Sequence, residues 1–425
     1  MEATQSAVAA RDSAMKQLMN RGPRMSLMIS LTLLLLMLNA AIARVDVATP
    51  GPEQDNPMQT TSATVAAFES DRVLRMAEMY LREPPLTITA YTCPRSAGGL
   101  HEFYSEGDYW WPDPANPDGP YIQRDGMSNP ENFTKHREMM MRFSAAVSSL
   151  AAAYKLSRDE KYAAHAVRHL KAWFVDESSM MLPHLKYAQA IKGRVTGRGI
   201  GIIDTIHLIE VARAVEVLSG SASFSPADVR AVKEWFAEYL TWLTKHQFGI
   251  DEREAKNNHG TWWVAQVAAF AHLVGDTMAM NYCRERFITV LLPGQMAGDG
   301  SFPLELKRTK PYNYSIFNLE GMATICQILT KPGANLWGTV LPDGRSMLRA
   351  MEFLFPYLKD RSSWPYARDV AYFEDYPVRH HFLLFAGAAF KKSAYLELWK
   401  TLDPDPVVPE VIRSMPLRQP VLWVE

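Results

Sequence analysis

The sequence predicts an all-α protein, a single (α/α) toroid in which antiparallel helix pairs form an incomplete barrel with long functional loops. From about residue 70 onward the apolar residues recur with a helical period, and no alternating run is long enough to force a large sheet. Roughly ten helical segments are joined by alternately short and long loops, which is typical of stacked antiparallel pairs. We therefore expect one toroid domain over residues 69–425.

Two predicted helices show the pattern most clearly. In Asp159–Val175 the apolar residues form one wide stripe, as in a helix with one buried face. Ser225 and Pro226 supply an N-cap and a first helical residue for a helix that continues to Lys245. The other predicted helices are Asp71–Leu81, Phe133–Leu156, Asp204–Leu218, Thr261–Val274, Thr277–Leu292, Ser315–Leu329, Ser346–Leu358 and Pro377–Phe390.

The N-terminal region has the pattern of a secretory signal peptide. An apolar run, Leu27–Leu38, follows Arg24 and ends shortly before Ala43, where small residues favour cleavage. The run is too short to span a bilayer comfortably. We expect residues 1–43 to be removed and residues 44–68, rich in Pro, Thr, Gln and Ser, to form a linker. The expected location is periplasmic or extracellular, without a membrane contact after removal of the signal.

The charge balance excludes some partners. Lys plus Arg (45) nearly equals Asp plus Glu (46), so no global field favours nucleic acid or an anionic membrane. If the substrate is an anion, the positive groups that bind it must be local. Neither a metal nor a cofactor is required by any motif, and the three cysteines have no zinc-binding spacing. The sequence leaves open whether the protein is a monomer or a dimer.

Two segments combine the residue types of a sugar-acid site. Asn257–Trp263 contains two amides, an imidazole and two indoles, and Lys307–Tyr314 adds cations and tyrosines. Amides and histidine hydrogen-bond a carboxylate, and tryptophan faces stack on a sugar ring. The alternative is that Asn257 and Asn258 cap the following helix while the tryptophans are ordinary core residues.

Two long irregular segments are further candidates for the site. Residues 99–132 are rich in Pro, Gly and Asp, and residues 187–201 contain glycines that allow close backbone approach. Loops of this kind often carry function. The alternative is a structural loop that packs its tryptophans against the ring. His207, just after the second segment, is on its own better explained as a core histidine.

The motifs resemble those of the alginate-lyase superfamily of α/α-toroid polysaccharide lyases. The Asn-Asn-His-x-x-Trp and Arg…Tyr elements of the family-five mannuronate lyases match Asn257–Trp262 and the pair Arg308 and Tyr314. The similarity to polysaccharide lyase family 38, known for glucuronan and alginate lyases, is greater, and it lies in segments 108–113, 189–204, 299–306, 308–309 and 314–319. The resemblance covers roughly residues 90–390.

The resemblance implies roles for four residues. Asn258 and His259 would neutralise the substrate carboxylate, Arg308 would assist, and Tyr314 would transfer protons. Such enzymes remove the C5 proton of a uronate and expel the C4 oxygen, so donors aimed at the carboxylate must strengthen as charge develops. The residues that we expect to contact the sugar chain are Asn257, Trp262, Trp110, Trp111, Arg124, Gln189, Arg198, His207 and Tyr312.

The base must lose its proton near neutral pH, whereas tyrosine starts near a pKa of about 10. We expect Arg308 and His259 to lower the pKa of Tyr314, with Tyr312 as the competing base. In β-D-mannuronate and β-D-glucuronate the C5 hydrogen and the C4 oxygen lie on one side of the ring. A single phenol can then serve as base and acid, so we expect metal-independent syn elimination of 1,4-linked polymers of these sugars.

Two other functions compete with the lyase. The first is an α/α-toroid glycoside hydrolase, which needs paired carboxylates. Its candidate acids are Asp108, Asp125, Asp204 and Glu305. The second is a carbohydrate-binding protein without catalytic activity. Elimination alone leaves an unsaturated uronide that absorbs in the ultraviolet, so the product distinguishes the three.

Overall fold

A computed structural model describes residues 57–424, and the predicted signal peptide and residues 44–56 lie outside this range. Within it the chain is predominantly helical, as predicted. The fifteen α-helices of this range are α1 (Pro57–Tyr80), α2 (Lys135–Ser157), α3 (Glu160–Phe174), α4 (Leu208–Leu218), α5 (Pro226–Lys245), α6 (Gln247–Arg253), α7 (Asn258–Val274), α8 (Thr277–Arg286), α9 (Leu292–Gln295), α10 (Pro303–Leu306), α11 (Pro311–Leu329), α12 (Met347–Lys359), α13 (His381–Ala389), α14 (Ser393–Thr401) and α15 (Pro409–Arg413).

The helices form an inner and an outer row, which is the α/α-toroid arrangement. The inner helices α2, α4, α7, α11 and α13 contact one another in that order and are buried on most of their faces. On the outside α3 packs on α2, α5 and α8 on α7, α12 on α11, and α14 on α13. Helix α3 has one apolar face, because one side contacts the inner row and the other faces solvent.

Local sequence signals fix several helix starts. Asp159 caps α3 by accepting from the Lys161 amide, and Ser225 caps α5 by accepting from the Asp228 amide at 3.1 Å. Helix α7 begins at Asn258, three residues before the predicted start, and Asn257 occupies the N-cap position without a side-chain cap bond. Helix α11 likewise begins at Pro311 rather than at residue 315.

Other predicted bounds were wrong. Helix α1 begins inside the segment predicted to be a linker. The predicted helix 204–218 starts only at Leu208, because the glycine-rich stretch before it forms the 3-10 helix Gly199–Thr205. The helix predicted over residues 277–292 is α-helical only to Arg286, and the following residues form the π-helical turn Phe287–Leu291. The predicted helix 377–390 starts only at His381.

Four short strands lie in the two irregular segments. Strand β1 (Tyr104–Glu106) pairs in parallel with β4 (Tyr187–Ala190), and β2 (Trp110–Trp111) pairs antiparallel with β3 (Ile122–Gln123). The first pair joins the two segments. In the described range the three cysteines are unpaired, and no helix is long and apolar enough to cross a membrane.

Candidate active site

A cavity of about 380 Å³ lies where the helix starts and the two loop segments meet. The start of α7 supplies Asn257, Asn258 and His259, while the approach to α11 and its first turn supply Arg308 and Tyr314. From the loops come Tyr109 just before β2, Trp110 in β2, Gln189 in β4, and Arg198. The remaining lining residues are Asp108, Gln123, Asp125, Ile200, Ile203, Ile206, Ala255, Asn313, Phe317, Glu410, Arg413 and Ser414.

Asn258 is held at the cavity wall by Glu305. The Asn258 backbone N–H donates to one carboxylate oxygen at 2.6 Å, and Nδ2 donates to the other at 2.8 Å. Both side chains are almost fully buried. A carboxylate at the start of α7 also satisfies a free amide of the helix N-terminus. The Asn258 amide is therefore fixed in orientation, and its Oδ1 and second Nδ2 hydrogen are left to bind a ligand.

His259 has an acid behind it as well. Its Nδ1 lies 2.6 Å from the carboxylate of Glu252, which is 2% exposed. Because a carboxylate accepts, Nδ1 carries the proton and Nε2 is the ring nitrogen left for substrate. An imidazolium held in this way donates through both nitrogens, Nδ1 to Glu252 and Nε2 to a ligand. This geometry allows His259 to neutralise a substrate carboxylate.

Arg308 is directed at the phenol of Tyr314. Its Nη2 donates to the Tyr314 oxygen at 2.9 Å and to Asp125 Oδ1 at 2.8 Å, and its guanidinium lies 4.0 Å from the centre of the Tyr314 ring. Burial alone would raise the pKa of Asp125, but the bond from Arg308 lowers it. Asp125 is thus ionised and orients Arg308. The cation stabilises the phenolate more directly than it reaches a substrate carboxylate.

The Tyr314 oxygen has a second partner, the Tyr109 hydroxyl at 2.9 Å. Burial raises the pKa of Tyr314 well above its ordinary value, and Tyr109 raises it further, whereas Lys310 and Arg308 lower it. The expectation that cations reduce this pKa below 10 was wrong for the free site, because desolvation outweighs them. Tyr314 is therefore a protonated phenol in the free enzyme, and Arg308 is placed to stabilise the phenolate when it forms.

A buried group of ion pairs supports this arrangement from behind. Asp108 accepts from Arg137 at 2.6 Å and from Arg413 at 2.7 Å, while Lys310 donates to Glu410 at 2.6 Å. Burial alone would raise the pKa of Asp108, but the two guanidinium groups lower it. All these charges have partners, as burial requires. Among the described residues no group of three or more His, Cys, Asp or Glu side chains is arranged to hold a metal ion.

The sequence profile described as Alginate lyase matches residues 87–364, more than half of the chain. The chain belongs to the alginate lyase family. It is 32% identical to an alginate lyase from Bacteroides ovatus, with a TM-score of 0.75 over 89% of this chain and 99% of that one. The family membership and the toroid fold are therefore confirmed.

More distant structures share the fold. Alginate lyase A1-III from Sphingomonas species A1 is 15% identical, with a TM-score of 0.55 over 87% of this chain and 97% of that one. A variant of alginate lyase A1-III complexed with a tetrasaccharide is also 15% identical, with a TM-score of 0.57 over 87% of this chain and 96% of that one. Comparison of the sequence with curated proteins gives no match. The family and the Bacteroides structure identify the protein as a polysaccharide lyase.

Three residues predicted to contact substrate lie in the core of this lyase instead. Trp262 is fully buried one turn below Asn258, and its ring packs 5.0 Å from that of Phe317. Tyr312 is fully buried too, and its hydroxyl donates to the Tyr357 carbonyl oxygen, which removes it as the competing base. His207 is a core histidine, since it is only 3% exposed, and this burial lowers its pKa to about 3.

Two further predicted contacts lie outside the cavity lining. Successive residues of a strand point to opposite faces, so Trp110 lines the cavity and Trp111 does not. The Trp111 indole N–H donates to the Met127 carbonyl oxygen at 2.8 Å, and Arg124 lies over its ring at 5.2 Å. The predicted residues that the structure does bring together are Asn257, Asn258, His259, Arg308, Tyr314, Trp110, Gln189 and Arg198.

Four residues of the site were not predicted in their roles: Tyr109, Glu252, Asp125 and Glu305. Asp125 and Glu305 were considered only as hydrolase acids, although each holds a predicted site residue in place. Glu252 lies seven residues before His259 but belongs to the preceding helix, α6, so helical spacing does not pair the two residues. Tyr109 is 205 positions from Tyr314, so no local pattern could pair them.

Glu252→Gln keeps the size of the side chain but removes the negative charge that holds the His259 ring by its Nδ1–H. We expect kcat to fall roughly ten- to a hundredfold, because the charged hydrogen bond that positions His259 in the transition state is lost. The KM should change little, as measured by steady-state kinetics. Glu254→Gln, an exposed acid paired with Arg253, is the matched control. An equal kcat for Glu252→Gln and the unmodified enzyme would remove this role.

Proposed function

We propose that this lyase is exported and cuts 1,4-linked polymers of β-D-mannuronate or β-D-glucuronate by syn β-elimination. The observation that carries the proposal is the Tyr314 oxygen in the cavity, with Arg308 and Tyr109 both at 2.9 Å. A phenol whose oxygen accepts a hydrogen bond from a cation can serve as both base and acid, because the cation stabilises the phenolate between the two proton transfers. Asn258 and His259 at the neighbouring helix start supply the donors for the substrate carboxylate.

In the proposed reaction the C5 proton of the substrate ends on the leaving C4 oxygen. The Tyr314 phenol first releases its proton to solvent, and the phenolate then takes the C5 proton. The C5 electron pair forms the C4–C5 double bond, the C4–O bond breaks, and the phenol returns its proton to the leaving oxygen. The Tyr109 hydroxyl, which contacts the Tyr314 oxygen, donates a hydrogen bond to the phenolate and stabilises it.

The charge that develops at the substrate falls on its carboxylate. Hydrogen bonds from Asn258 and from the His259 imidazolium to that group strengthen as the second negative charge appears, which lowers the barrier rather than the KM. Glu305 and Glu252 hold both donors before substrate arrives. Groups fixed in advance need no reorganisation during the reaction.

Paired-carboxylate hydrolysis has weaker support. A hydrolase needs one acid to donate and a second to activate water or attack. The four candidates are all engaged: Asp108 with two arginines, Asp125 with Arg308, Glu305 with Asn258, and Asp204 with the Ser105 hydroxyl at 2.5 Å. The alternative of a carbohydrate-binding protein without activity has no support, because the hydrogen bond from Arg308 to the Tyr314 phenol serves proton transfer rather than binding alone.

Tyr314→Phe keeps the ring and removes only the phenolic oxygen. We expect the variant to bind polymer with nearly unchanged affinity and to lose turnover by about three orders of magnitude or more, because base and acid are lost together. Product is followed by ultraviolet absorbance. Tyr312→Phe, which removes a hydroxyl outside the cavity, is the control. Near-normal turnover by Tyr314→Phe would show that another residue is the base.

A substrate panel tests the stereochemistry. On polymannuronate and glucuronan one phenol reaches both the C5 hydrogen and the C4 oxygen, whereas on polyguluronate these lie on opposite faces. We expect ultraviolet-absorbing product from at least one of the first two polymers and a much lower rate on the third. Polyguluronate as the best substrate would contradict the single-tyrosine mechanism.

Export is proposed from the apolar run before Ala43. Expression of the full chain in a Gram-negative host should yield a periplasmic or medium protein whose first residue is Arg44. Mass spectrometry of the N-terminal peptide checks this. An intact N-terminus on cytoplasmic protein would contradict it.

A further inference from the structure

The charged residues of the cavity lining are not all neutralised. The lining contains three arginines and three acids, namely Arg198, Arg308, Arg413, Asp108, Asp125 and Glu410. Two of the arginines are bonded to acids, as described above. Arg198 differs, because its Nε and Nη2 donate to the backbone and side-chain oxygens of Gln189 at 3.1 and 2.9 Å. Within the described range Arg198 forms no ion pair, and Asp108, Asp204 and Glu252 act on it only from beyond ion-pair distance.

Two more cations continue from Arg198 along the same loop. Lys192 and Arg194 are exposed, and neither forms an ion pair with any described residue. Aromatic rings and carbonyl oxygens hold them instead. The Arg194 guanidinium lies 5.1 Å from the centre of the Trp110 ring, and its Nε donates to the Tyr121 carbonyl oxygen at 2.7 Å. The Lys192 ammonium lies 5.6 Å from the Tyr121 ring.

The loop that carries these cations is fixed to the β2–β3 hairpin. The Tyr121 N–H donates to the Lys192 carbonyl oxygen at 3.1 Å. Gly193 has a φ of +73°, and a Cβ there would come within 2.8 Å of the Pro120 Cα, so only glycine permits this approach. The cations are thus part of a built surface beside Trp110, which itself lines the cavity.

We infer that Lys192, Arg194 and Arg198 form a cationic rim that binds the carboxylates of uronate residues beyond the one being cleaved. The inference rests on the proposed function. A polyuronate carries one negative charge per sugar, while the cavity of about 380 Å³ has the size of a small-molecule site. The polymer must therefore continue over the cavity edge. Cations without acid partners attract the polymer at this edge. Because only a long chain reaches them, the enzyme acts best on long chains.

The double variant Lys192→Gln/Arg194→Gln tests the rim without substituting a residue that lines the cavity. We expect the KM for polymer to rise roughly three- to tenfold at low salt, with kcat unchanged, since rim charges act on encounter and binding. The increase of KM with added salt should be weaker than in the unmodified enzyme. For the shortest oligosaccharide that the enzyme still cuts, KM should stay the same. Arg230→Gln on α5, an exposed arginine that does not line the cavity, is the control.

The outcomes separate this inference from the proposed function. If the unmodified enzyme cuts a uronate polymer and the double variant has the same KM and salt dependence, the rim is wrong and the lyase proposal stands. An equal rise in KM for polymer and for the shortest oligosaccharide also overturns the rim, because the cations would then act on the cleaved residue. If the unmodified enzyme releases no ultraviolet-absorbing product from any uronate polymer, the proposed function fails. Binding of polymer to Tyr314→Phe with and without the double substitution, by calorimetry, gives the same comparison without turnover.

Discussion

The carboxylate of Asp108, buried between two guanidinium groups, is the constraint on which the position of the hairpin segment depends. It binds Arg137 of α2 at 2.6 Å and Arg413 of α15 at 2.7 Å. Removing one partner from a buried ion pair leaves an uncompensated charge, which costs about 3–5 kcal/mol. The loop is therefore locked to an inner helix and to the C-terminal region. The next residue is Tyr109, whose hydroxyl consequently meets that of Tyr314.

A second constraint is the packing of α7 against α11. The two inner helices are in extensive contact, with the Trp262 and Phe317 rings between them. Both helices start at the same end of the toroid, so the amide and imidazole of one start face the phenol of the other across the cavity. The core tryptophan thus has a functional consequence although it never touches the cavity, because it fixes the spacing between the two helix starts.

The acids around the cavity act through other side chains. Glu305, Glu252 and Asp125 lie behind Asn258, His259 and Arg308, one acid to each. Such a donor cannot turn away when substrate is absent, since its acid holds it in place. The same pairing cancels much of the positive charge that a polyanion needs. Arg198 and the loop beside it carry cations without an ion-pair partner among the described residues. Under the inference of a cationic rim, catalytic positioning and attraction of the polymer use separate residues.

The sequence by itself determined the properties that depend on neighbouring residues. Helical periodicity gave the all-α class, Ser225 and Asp159 gave helix starts, and the motifs around His259 and Tyr314 gave the family and the central residues of the site. Tertiary structure alone decided which aromatic residues reach the cavity. Trp110 and Trp262 have the same side chain. Trp110 faces the cavity from strand β2, whereas Trp262 is buried between α7 and α11. The partners of the site residues also required the fold: Glu305 is 47 positions from Asn258, and Asp125 is 183 from Arg308. Contacts at such separations arise from the packing of helices and loops, which no local pattern records.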